Sequence, residues 1–393
     1  MNDKNLIYLD HAATTPADPE VVLAMEPHWA AANPSSLHRC GQAAIKAVDD
    51  ARETIADFVG AAHPREIIFT GSATEANNLA IRGVISNAQR VVLRNQKRTT
   101  LWAVHIITTA IEHASVLEPI HMLEKAGIIE VAILPVSETG LITPDAVAAA
   151  VQENTALVSI GWANNEIGTI QPIADIVRAV KAKNPKILVH TDAVQAAPWL
   201  DIDVKKLGVD LMTISAHKMY GPKGIGALYV KDGIKLEPVI YGGGQEYGLR
   251  SGTENVPGIA GFAKAAEMTA KWKKNAANTC AIEKLREYAW NEIRRIVPDA
   301  ELNSPLKNRL PNYLNVFIPD ADPEAFLIAL SEDGVCVSSG SACAARSQTL
   351  SHVIAAIGKA SKKGCHLRIT LGRQTTPDNI RALIEAIKKR LSM

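Results

Sequence analysis

The chain has 393 residues, of which 47% are hydrophobic and 21% are charged, close to the average for soluble globular proteins. This composition excludes a disordered, collagen-like or coiled-coil chain. Lysine plus arginine (42) nearly balance aspartate plus glutamate (41), so the formal net charge is +1, and the basic excess expected of a protein that grips a nucleic-acid backbone is missing.

The length predicts two or three domains, or one large α/β domain with a smaller one attached. The segment Met1–Asp10 lacks the basic, apolar and small-residue order of a signal peptide, and no apolar run is long enough for a membrane span. Five cysteines without paired spacing favour neither a disulfide framework nor a zinc site. We therefore expect a protein of the reducing cytoplasm that binds no membrane and no metal.

Short β-branched runs alternate with Ala-rich amphipathic stretches over the first two thirds of the chain. The predicted strands are Glu66–Thr70, His105–Thr109, Glu130–Leu134, Ala156–Trp162, Ile187–Thr191, Leu211–Ser215 and Gly226–Val230. A helical pattern follows the first strand through Arg82, and Asp145–Gln152 and Ile173–Lys183 are also predicted helices. Buried strands that alternate with helices are typical of a mostly parallel sheet covered on both faces.

The pattern changes near Pro257. Long helices are predicted in Gly258–Arg295, and the following strands and helices are Tyr313–Ile318, Pro323–Glu332, Val335–Ser338, Leu367–Leu371 and Pro377–Leu391. This order favours a separate α+β unit. We predict a large domain of residues 15–257 and a smaller domain of residues 1–14 and 258–393.

Residues 87–102 form a basic segment with Arg90, Arg94, Lys97 and Arg98 and no acidic residue. A solvated surface insertion is the preferred interpretation. A docking patch for a partner is the alternative.

Two motifs follow predicted strands and could bind a ligand. Gly71–Thr74 opens a helix, where small residues and free N–H groups suit an anion, although a Ser or Thr there is most often a simple helix cap. Asp192 follows a buried strand at the edge where open α/β sheets bind ligands, and a helix cap is an equally good interpretation.

Lys218 follows the next strand and lies among small residues and glycines. A lone lysine is normally a solvated charge. The order of anion site, strand-end aspartate and strand-end lysine, however, is the one that pyridoxal 5'-phosphate (PLP) needs. Its phosphate binds N–H groups, its ring nitrogen pairs with a carboxylate, and its aldehyde forms a Schiff base with lysine.

Cys343 differs from the other four cysteines. It lies in a stretch of small residues, Ser338–Ser347, where Arg346 could favour a thiolate, so we interpret it as a reactive thiol. Cys336 lies in an apolar strand, and Cys40, Cys280 and Cys365 are given structural roles.

Taken together, these residues resemble the PLP-dependent cysteine desulfurases of the NifS/IscS type, within the class V aminotransferase group of fold type I. The resemblance runs nearly end to end through the motifs Tyr8–Pro16, Asn33–Ser36, Thr74–Asn78, Glu112–His113, Asn164–Gly168, His217–Lys218, Arg250–Thr253, Ser338–Cys343 and Arg368–Arg373. It implies the PLP-dependent transferase fold, with a large domain built on a mostly parallel sheet and a smaller α+β domain.

The resemblance also implies roles around the cofactor. Lys218 would form the Schiff base and later move the substrate α-proton. Asp192 would pair with the ring nitrogen and Gln195 would contact the ring hydroxyl oxygen. His113 would stack on the ring and could shuttle protons.

The remaining implied roles concern the phosphate, the substrate and the sulfur. The phosphate would be held by Ala73, Thr74, Ser215, His217 and, from the second subunit of a homodimer, Thr253. The substrate carboxylate would be bound by Asn33, Asn165 and Arg368, with Asn165 also counted among the cofactor-binding residues. Cys343 would attack the substrate sulfur, keep it as a persulfide and release alanine.

We therefore expect L-cysteine as substrate and a sulfur-acceptor protein, such as an iron–sulfur scaffold or a component of tRNA thiolation, as partner. A selenocysteine lyase or a related lyase on the same fold is the enzyme alternative, against which Cys343 argues. A PLP-binding scaffold without catalysis is a third. The sequence departs from the family pattern at Gln348–Ser351, where Leu-Glu-Pro-Ser is frequent, and at Tyr247, where arginine is usual.

Overall fold

The computed structural model describes residues 6–95, 104–340, 351–360 and 363–391. Its strands are β1 (Ile7–Tyr8), β2 (Ile67–Thr70), β3 (Val104–Thr109), β4 (Ile129–Leu134), β5 (Thr155–Ser159), β6 (Leu188–Asp192), β7 (Leu211–Ser215), β8 (Gly226–Val230), β9 (Glu301–Leu302), β10 (Tyr313–Pro319), β11 (Val335–Cys336) and β12 (Gly364–Thr370). Its α-helices are α1 (Pro19–Met25), α2 (Arg39–Val59), α3 (Ala73–Asn95), α4 (Ala114–Lys125), α5 (Pro144–Ala149), α6 (Ile173–Lys183), α7 (Val204–Leu207), α8 (Val256–Lys273), α9 (Ala276–Ile296), α10 (Pro323–Glu332), α11 (His352–Ala356) and α12 (Pro377–Leu391).

A seven-stranded sheet in the order β2-β8-β7-β6-β5-β3-β4 forms the centre of the molecule. The strands β7, β6, β5, β3 and β4 pair in parallel, and β8 pairs antiparallel with both of its neighbours. The prediction of a mostly parallel sheet is therefore confirmed. Because parallel strands end at the same edge, the segments that follow β3, β5, β6 and β7 meet on one side of the sheet.

Alternate residues of the strands face opposite sides of this sheet, and helices cover each side. On β2, Ile67 and Phe69 join the apolar core under α2, α6 and α8, while Ile68 joins the core under α3 and α4. Each face is buried for this reason, and the polar residues that the strands carry, such as His190 and Thr213, are buried together with the apolar ones. No helix in the described part of the chain is both long enough and apolar enough to cross a membrane.

A second core surrounds a three-stranded antiparallel sheet in the order β12-β10-β9, packed against α9, α10 and α12. The short parallel pair β1–β11 adds Val335 to this core, and Leu9, which directly follows β1, also belongs to it. Helix α8 contributes Ile259 and Phe262 to the core of the large sheet, and both residues lie beyond the predicted boundary at residue 257. The division into two domains stays a prediction.

The prediction for residues 87–102 was wrong in part. Helix α3 does not end near Arg82 but continues through Asn95, because Val84 and Ile85 still pack into the core and keep the helix on the sheet. Arg90 pairs with Glu237 at 2.8 Å, an acidic partner from outside the basic segment. Residues 96–103 lie outside the described residues, and docking of a partner there stays untested.

A buried ion pair covers the free edge of the large sheet. Arg52 of α2 and Glu246 make two hydrogen bonds of 2.6 and 2.8 Å, and their side chains are only 6% and 2% exposed. The same groups bind the outer backbone of β2, since Arg52 donates to the carbonyl of Ile67 and Glu246 accepts from the N–H of Phe69. The pair therefore occupies the hydrogen-bonding positions of a missing neighbour strand.

Removing one partner of this pair should destabilise the fold strongly. Glu246→Ala leaves the Arg52 guanidinium buried without its carboxylate, which costs about 3–5 kcal/mol of unfolding free energy. Denaturant titration followed by circular dichroism measures the loss. The control Lys46→Ala breaks an exposed pair with Asp50 on the same helix and should cost under about 0.5 kcal/mol. A double variant Arg52→Met/Glu246→Leu removes the unpaired charge but leaves two backbone groups of β2 without partners, so it should recover only part of the stability; a loss equal to that of Glu246→Ala would contradict the explanation.

Candidate active site

A cavity of about 270 Å³ lies at the carboxyl ends of the parallel strands. Its walls come from the segments that follow β2, β3, β5, β6 and β7, together with Ala12, Ala13 and Arg368. Open α/β sheets bind their ligands at this edge. Most of the predicted site residues line this cavity: Ala73, Thr74, His113, Asn165, Asp192, Gln195, His217, Lys218 and Arg368.

Lys218 reaches the cavity from a 3-10 turn that directly follows β7. Its Nζ donates hydrogen bonds to the carbonyl oxygens of Ala12 and Ala13, the second at 2.7 Å. Gln195 donates to the same carbonyl of Ala12 at 3.0 Å. The chain before α1 therefore crosses the cavity and presents its carbonyls to two predicted site residues.

Asp192 is the last residue of β6, and its carboxylate is held from two sides. Its Oδ1 accepts the N–H of Val194 at 3.0 Å, and its Oδ2 accepts the side-chain amide of Asn77 at 2.7 Å. Asn77 is completely buried and gives its other amide hydrogen to the Ser115 hydroxyl at 2.8 Å. The carboxylate is thus fixed in direction and faces the cavity.

His113 is the N-cap of α4 and belongs to the same network. Its Nδ1 accepts the backbone N–H of Ser115 at 3.1 Å and lies 2.7 Å from the Ser115 hydroxyl. A nitrogen that accepts an N–H carries no proton, so the imidazole is the neutral form protonated at Nε2. Burial lowers the pKa of His113, which agrees with this assignment.

The predicted anion site is a tight turn at the start of α3. The Glu75 carboxylate accepts the N–H of Gly71 at 2.9 Å and is held in turn by Arg250 at 2.7 Å. Gly226 of β8 packs directly against this turn. A Cβ on Gly226 would lie 2.9 Å from the Ala73 nitrogen, so a side chain there would clash with the turn. The first N–H groups of a long helix thus face the cavity beside Ala73 and Thr74.

His217 lies beside this turn, and its Nδ1 is 3.1 Å from the Thr14 hydroxyl. Burial, together with the charge of Lys218, lowers the pKa of His217 to about 3, so its imidazole is neutral. Ser215 is buried at the end of β7 and does not line the cavity. Thr253 and Asn33 are exposed and lie outside the cavity of their own chain.

Arg368 comes from β12 of the smaller sheet and is only 1% exposed. It donates to Asp10 at 2.8 Å and to the backbone carbonyl of Asn165 at 3.0 Å. Its Nε has no hydrogen-bond partner within the described parts of the chain. A guanidinium held this way at the cavity wall is suited to a carboxylate.

Glu112 and Asn77 are site residues that the analysis of the sequence did not assign. Glu112 is fully buried at the cavity wall and accepts from the Thr109 hydroxyl at 2.6 Å and from the N–H of Gly161 at 2.7 Å. Burial raises the pKa of Glu112 to about 7, and the negative charge of Asp192 adds to the shift. Both residues belong to motifs shared with the cysteine desulfurases, and this shared pattern could have identified them from the sequence.

The donor set fits PLP. A lysine amine, an oriented carboxylate, a neutral imidazole and a helix start converge on one cavity, and the cofactor needs a group of each kind.

Cys343 lies outside the described residues. The chain before it is tied to the site, because Ser338 and Arg368 exchange backbone hydrogen bonds of 3.2 and 2.6 Å.

The other four cysteines lie in regular secondary structure and differ in burial. Cys336 is half-buried in β11, Cys280 is exposed on α9, and Cys40 belongs to helix α2. Cys365 is buried in β12. These four thiols are unpaired.

Comparison with known proteins agrees with this geometry. The family model "Aminotransferase class-V" matches residues 7–383. The chain is 42% identical over 389 residues to the cysteine desulfurase IscS of Dictyoglomus turgidum, covering 98% of this chain and 94% of that protein. It is 39% identical to cysteine desulfurase IscS 1 of Archaeoglobus fulgidus, covering 97% and 95% of the two chains.

Solved structures give the same result. A NifS-like protein superposes with a TM-score of 0.88 at 36% identity, covering 98% of this chain and 99% of that chain. SspA in complex with cysteine superposes with a TM-score of 0.76 at 38% identity, covering 94% and 99%. The fold and the cofactor predicted from the sequence are confirmed. The chain belongs to the cysteine desulfurases of the NifS/IscS type, within the PLP-dependent class-V aminotransferase family.

Proposed function

We propose that this protein is an L-cysteine desulfurase that moves the substrate sulfur to Cys343 and releases L-alanine. One observation carries the proposal: Lys218, Asp192, His113 and Arg368, which come from separate segments, line a single cavity. The relatives named as cysteine desulfurases, 39–42% identical over nearly the whole chain, support the choice among the reactions that this fold hosts.

The residues around the cavity have separate roles in the proposed reaction. When bound, PLP supplies delocalisation of the electrons at the substrate α-carbon. Lys218 would hold the cofactor and move the proton at the substrate Cα, while Asp192 would keep the ring nitrogen protonated. His113, neutral with its proton on Nε2, would stack on the ring and could carry a proton. The remaining cofactor contacts are assigned to Ala73, Thr74, Asn165, Gln195, Ser215, His217 and Thr253.

The sulfur step is a nucleophilic attack on the substrate sulfur that breaks its bond to carbon. The Cys343 thiolate attacks the substrate sulfur, a sulfur–sulfur bond forms, and the bond between that sulfur and the substrate β-carbon breaks. The β-carbon takes up a proton, so that L-cysteine and the thiol become L-alanine and a Cys343 persulfide. An acceptor protein, such as an iron–sulfur scaffold, would then take the terminal sulfur.

We also place the protein in the cytoplasm, because a reducing compartment keeps the Cys343 thiol free. Cell fractionation with immunoblotting tests this location, and recovery only from an oxidising compartment would contradict it.

The Cys343→Ala variant should separate substrate binding from sulfur transfer. It should keep the cofactor and its spectral response to L-cysteine, since the cavity is built from other segments. Sulfide production with a reductant should fall at least about a hundredfold, because no other thiol has the required effective molarity. Mass spectrometry of the wild type after L-cysteine should find one added sulfur on the Cys343 peptide, removed by a purified iron–sulfur scaffold protein.

Two controls interpret that result. Lys218→Ala should lack the visible absorption band that borohydride abolishes, whereas Lys223→Ala, an exposed lysine five residues away, should keep it. If Cys343→Ala made sulfide at the wild-type rate, the proposed role of Cys343 would be wrong and a selenocysteine-lyase activity would be tested next.

The Arg368→Lys variant should lose affinity and turnover for cysteine. Lysine keeps the charge but cannot form the two-pronged contact, which is worth on the order of 1.5–3 kcal/mol. We expect kcat/KM to fall about 10–150-fold in steady-state kinetics with L-cysteine. Arg381→Lys, an exposed arginine of α12, is the matched control. Unchanged kinetics in Arg368→Lys would move the carboxylate site elsewhere, with Asn33 and Asn165 remaining as candidates.

We propose further that the protein is a homodimer in which Thr253 completes the partner's phosphate site. Thr253 lies outside its own cavity, and nearby Tyr241 and Tyr247 are 78% and 60% exposed, an unusual exposure for aromatic side chains. Light scattering should give twice the mass of the chain. A fully active monomer at the assay concentration would contradict the proposal.

A further inference from the structure

Glu166 brings together the two ends of the segment 341–350, which contains Cys343. Gly340 precedes the segment, and a Cβ placed on it would lie 3.0 Å from Glu166 Oε2. Ser351 follows the segment, and its hydroxyl donates to the same oxygen at 2.5 Å. Gly340 and Ser351, the described residues on either side of the segment, therefore both lie close to one buried carboxyl group, and of the two Ser351 donates a hydrogen bond to it.

The Ser351 hydroxyl uses its whole hydrogen-bonding capacity. Besides donating to Glu166, it accepts the N–H groups of Val353 and Ile354 at 3.1 and 3.2 Å, as the N-cap of α11. Glu166 is itself fixed, because its N–H donates to Asn164 at 2.8 Å. Burial raises the pKa of the Glu166 carboxyl group. The Ser351 hydroxyl group therefore both caps α11 and attaches the start of this helix to Glu166.

His352 forms a second attachment, to the cavity segment that contains Glu112. Its Nε2 lies 2.9 Å from the backbone carbonyl of Glu112, and because a carbonyl only accepts, the proton is on Nε2. Glu112 directly precedes His113, the residue assigned to the cofactor ring. Consecutive residues thus contact the two cavity segments 112–113 and 164–166.

Apolar packing supports both contacts. Val353, Ile354 and Ile357 form a small separate core with Ile111 and Ile167, the neighbours of Glu112 and Glu166. Helix α11 therefore rests on the same two segments that its first residues bind, and it has little freedom to shift without breaking all three contacts.

We propose that Ser351 and His352 are positioning residues that fix the carboxyl end of the Cys343 segment on the cavity and so set the rate of sulfur transfer. The inference rests on the proposed function. Neither residue contacts the cavity itself; each acts through its attachment. Because a misplacement of about 1 Å costs on the order of a hundredfold in rate, the loss of an anchor should slow the transfer without weakening substrate binding.

The test uses the PLP-loaded full chain and follows persulfide formation on Cys343 by mass spectrometry in a single turnover with L-cysteine. Ser351→Ala and His352→Leu should each lower this rate about tenfold or more. The L-cysteine concentration that half-saturates the spectral shift should change less than about twofold. Ser351→Thr and His352→Gln keep a hydroxyl group and an N–H donor, and should restore most of the rate.

Thr143→Ala is the matched control, because Thr143 is the N-cap of another short helix, α5, away from the cavity. It should leave the rate unchanged. In the protein without cofactor, hydrogen exchange of the Val353 and Ile354 amides should speed up in Ser351→Ala and not in Thr143→Ala. This readout is independent of activity.

The outcomes are distinct. A wild type that forms no persulfide on Cys343 contradicts the proposed function. A wild type that does, with Ser351→Ala and His352→Leu equally fast, contradicts only the positioning role. If either variant loses cofactor or fails to fold, Ser351→Thr and His352→Gln decide, since normal folding with an unrestored rate would also overturn the inference.

Discussion

The buried amide of Asn77 is the interaction on which the active site depends. Its two hydrogens go to Asp192 and to Ser115, and the Ser115 hydroxyl lies against His113. A fully buried amide must find partners for both hydrogens, because an unpaired polar group in the core is costly. These hydrogen bonds fix α3, α4 and β6 relative to one another. The positions of the Asp192 carboxylate and the His113 imidazole therefore depend on the same side chain.

The cavity also depends on charge control by burial. His113 and His217 are held neutral, so each presents one donor and one acceptor rather than a positive charge beside Lys218. Burial raises the pKa of Glu112 to about 7, which favours its neutral form and limits negative charge next to Asp192. The other ionisable side chains of the cavity wall are those of Lys218, Asp192 and Arg368.

The proposed substrate-binding side of the site lies where the two sheets meet. Arg368 belongs to the smaller sheet, yet its guanidinium contacts Asp10 and the backbone of Asn165, which follows β5 of the larger sheet. The carbonyls of Ala12 and Ala13, which lie between β1 and α1, accept hydrogen bonds from Lys218, which follows β7 of the larger sheet. Any relative movement of the two sheets would therefore move the predicted carboxylate site against the lysine.

Much of the fold and several site residues could be predicted from the residues alone. Apolar, β-branched runs identified β2 to β8, and the rule that parallel strands end at one edge was enough to group Asp192 with Lys218. The extent of α3 was missed, because the residues after Arg82 turn polar and basic while Val84 and Ile85 still pack on the sheet.

Only the tertiary structure decided which side chains touch. Asn77 lies 38 residues from Ser115 and 115 residues from Asp192, and Ser351 lies 185 residues from Glu166. Contacts over such separations depend on strand register and helix packing, which no local pattern encodes.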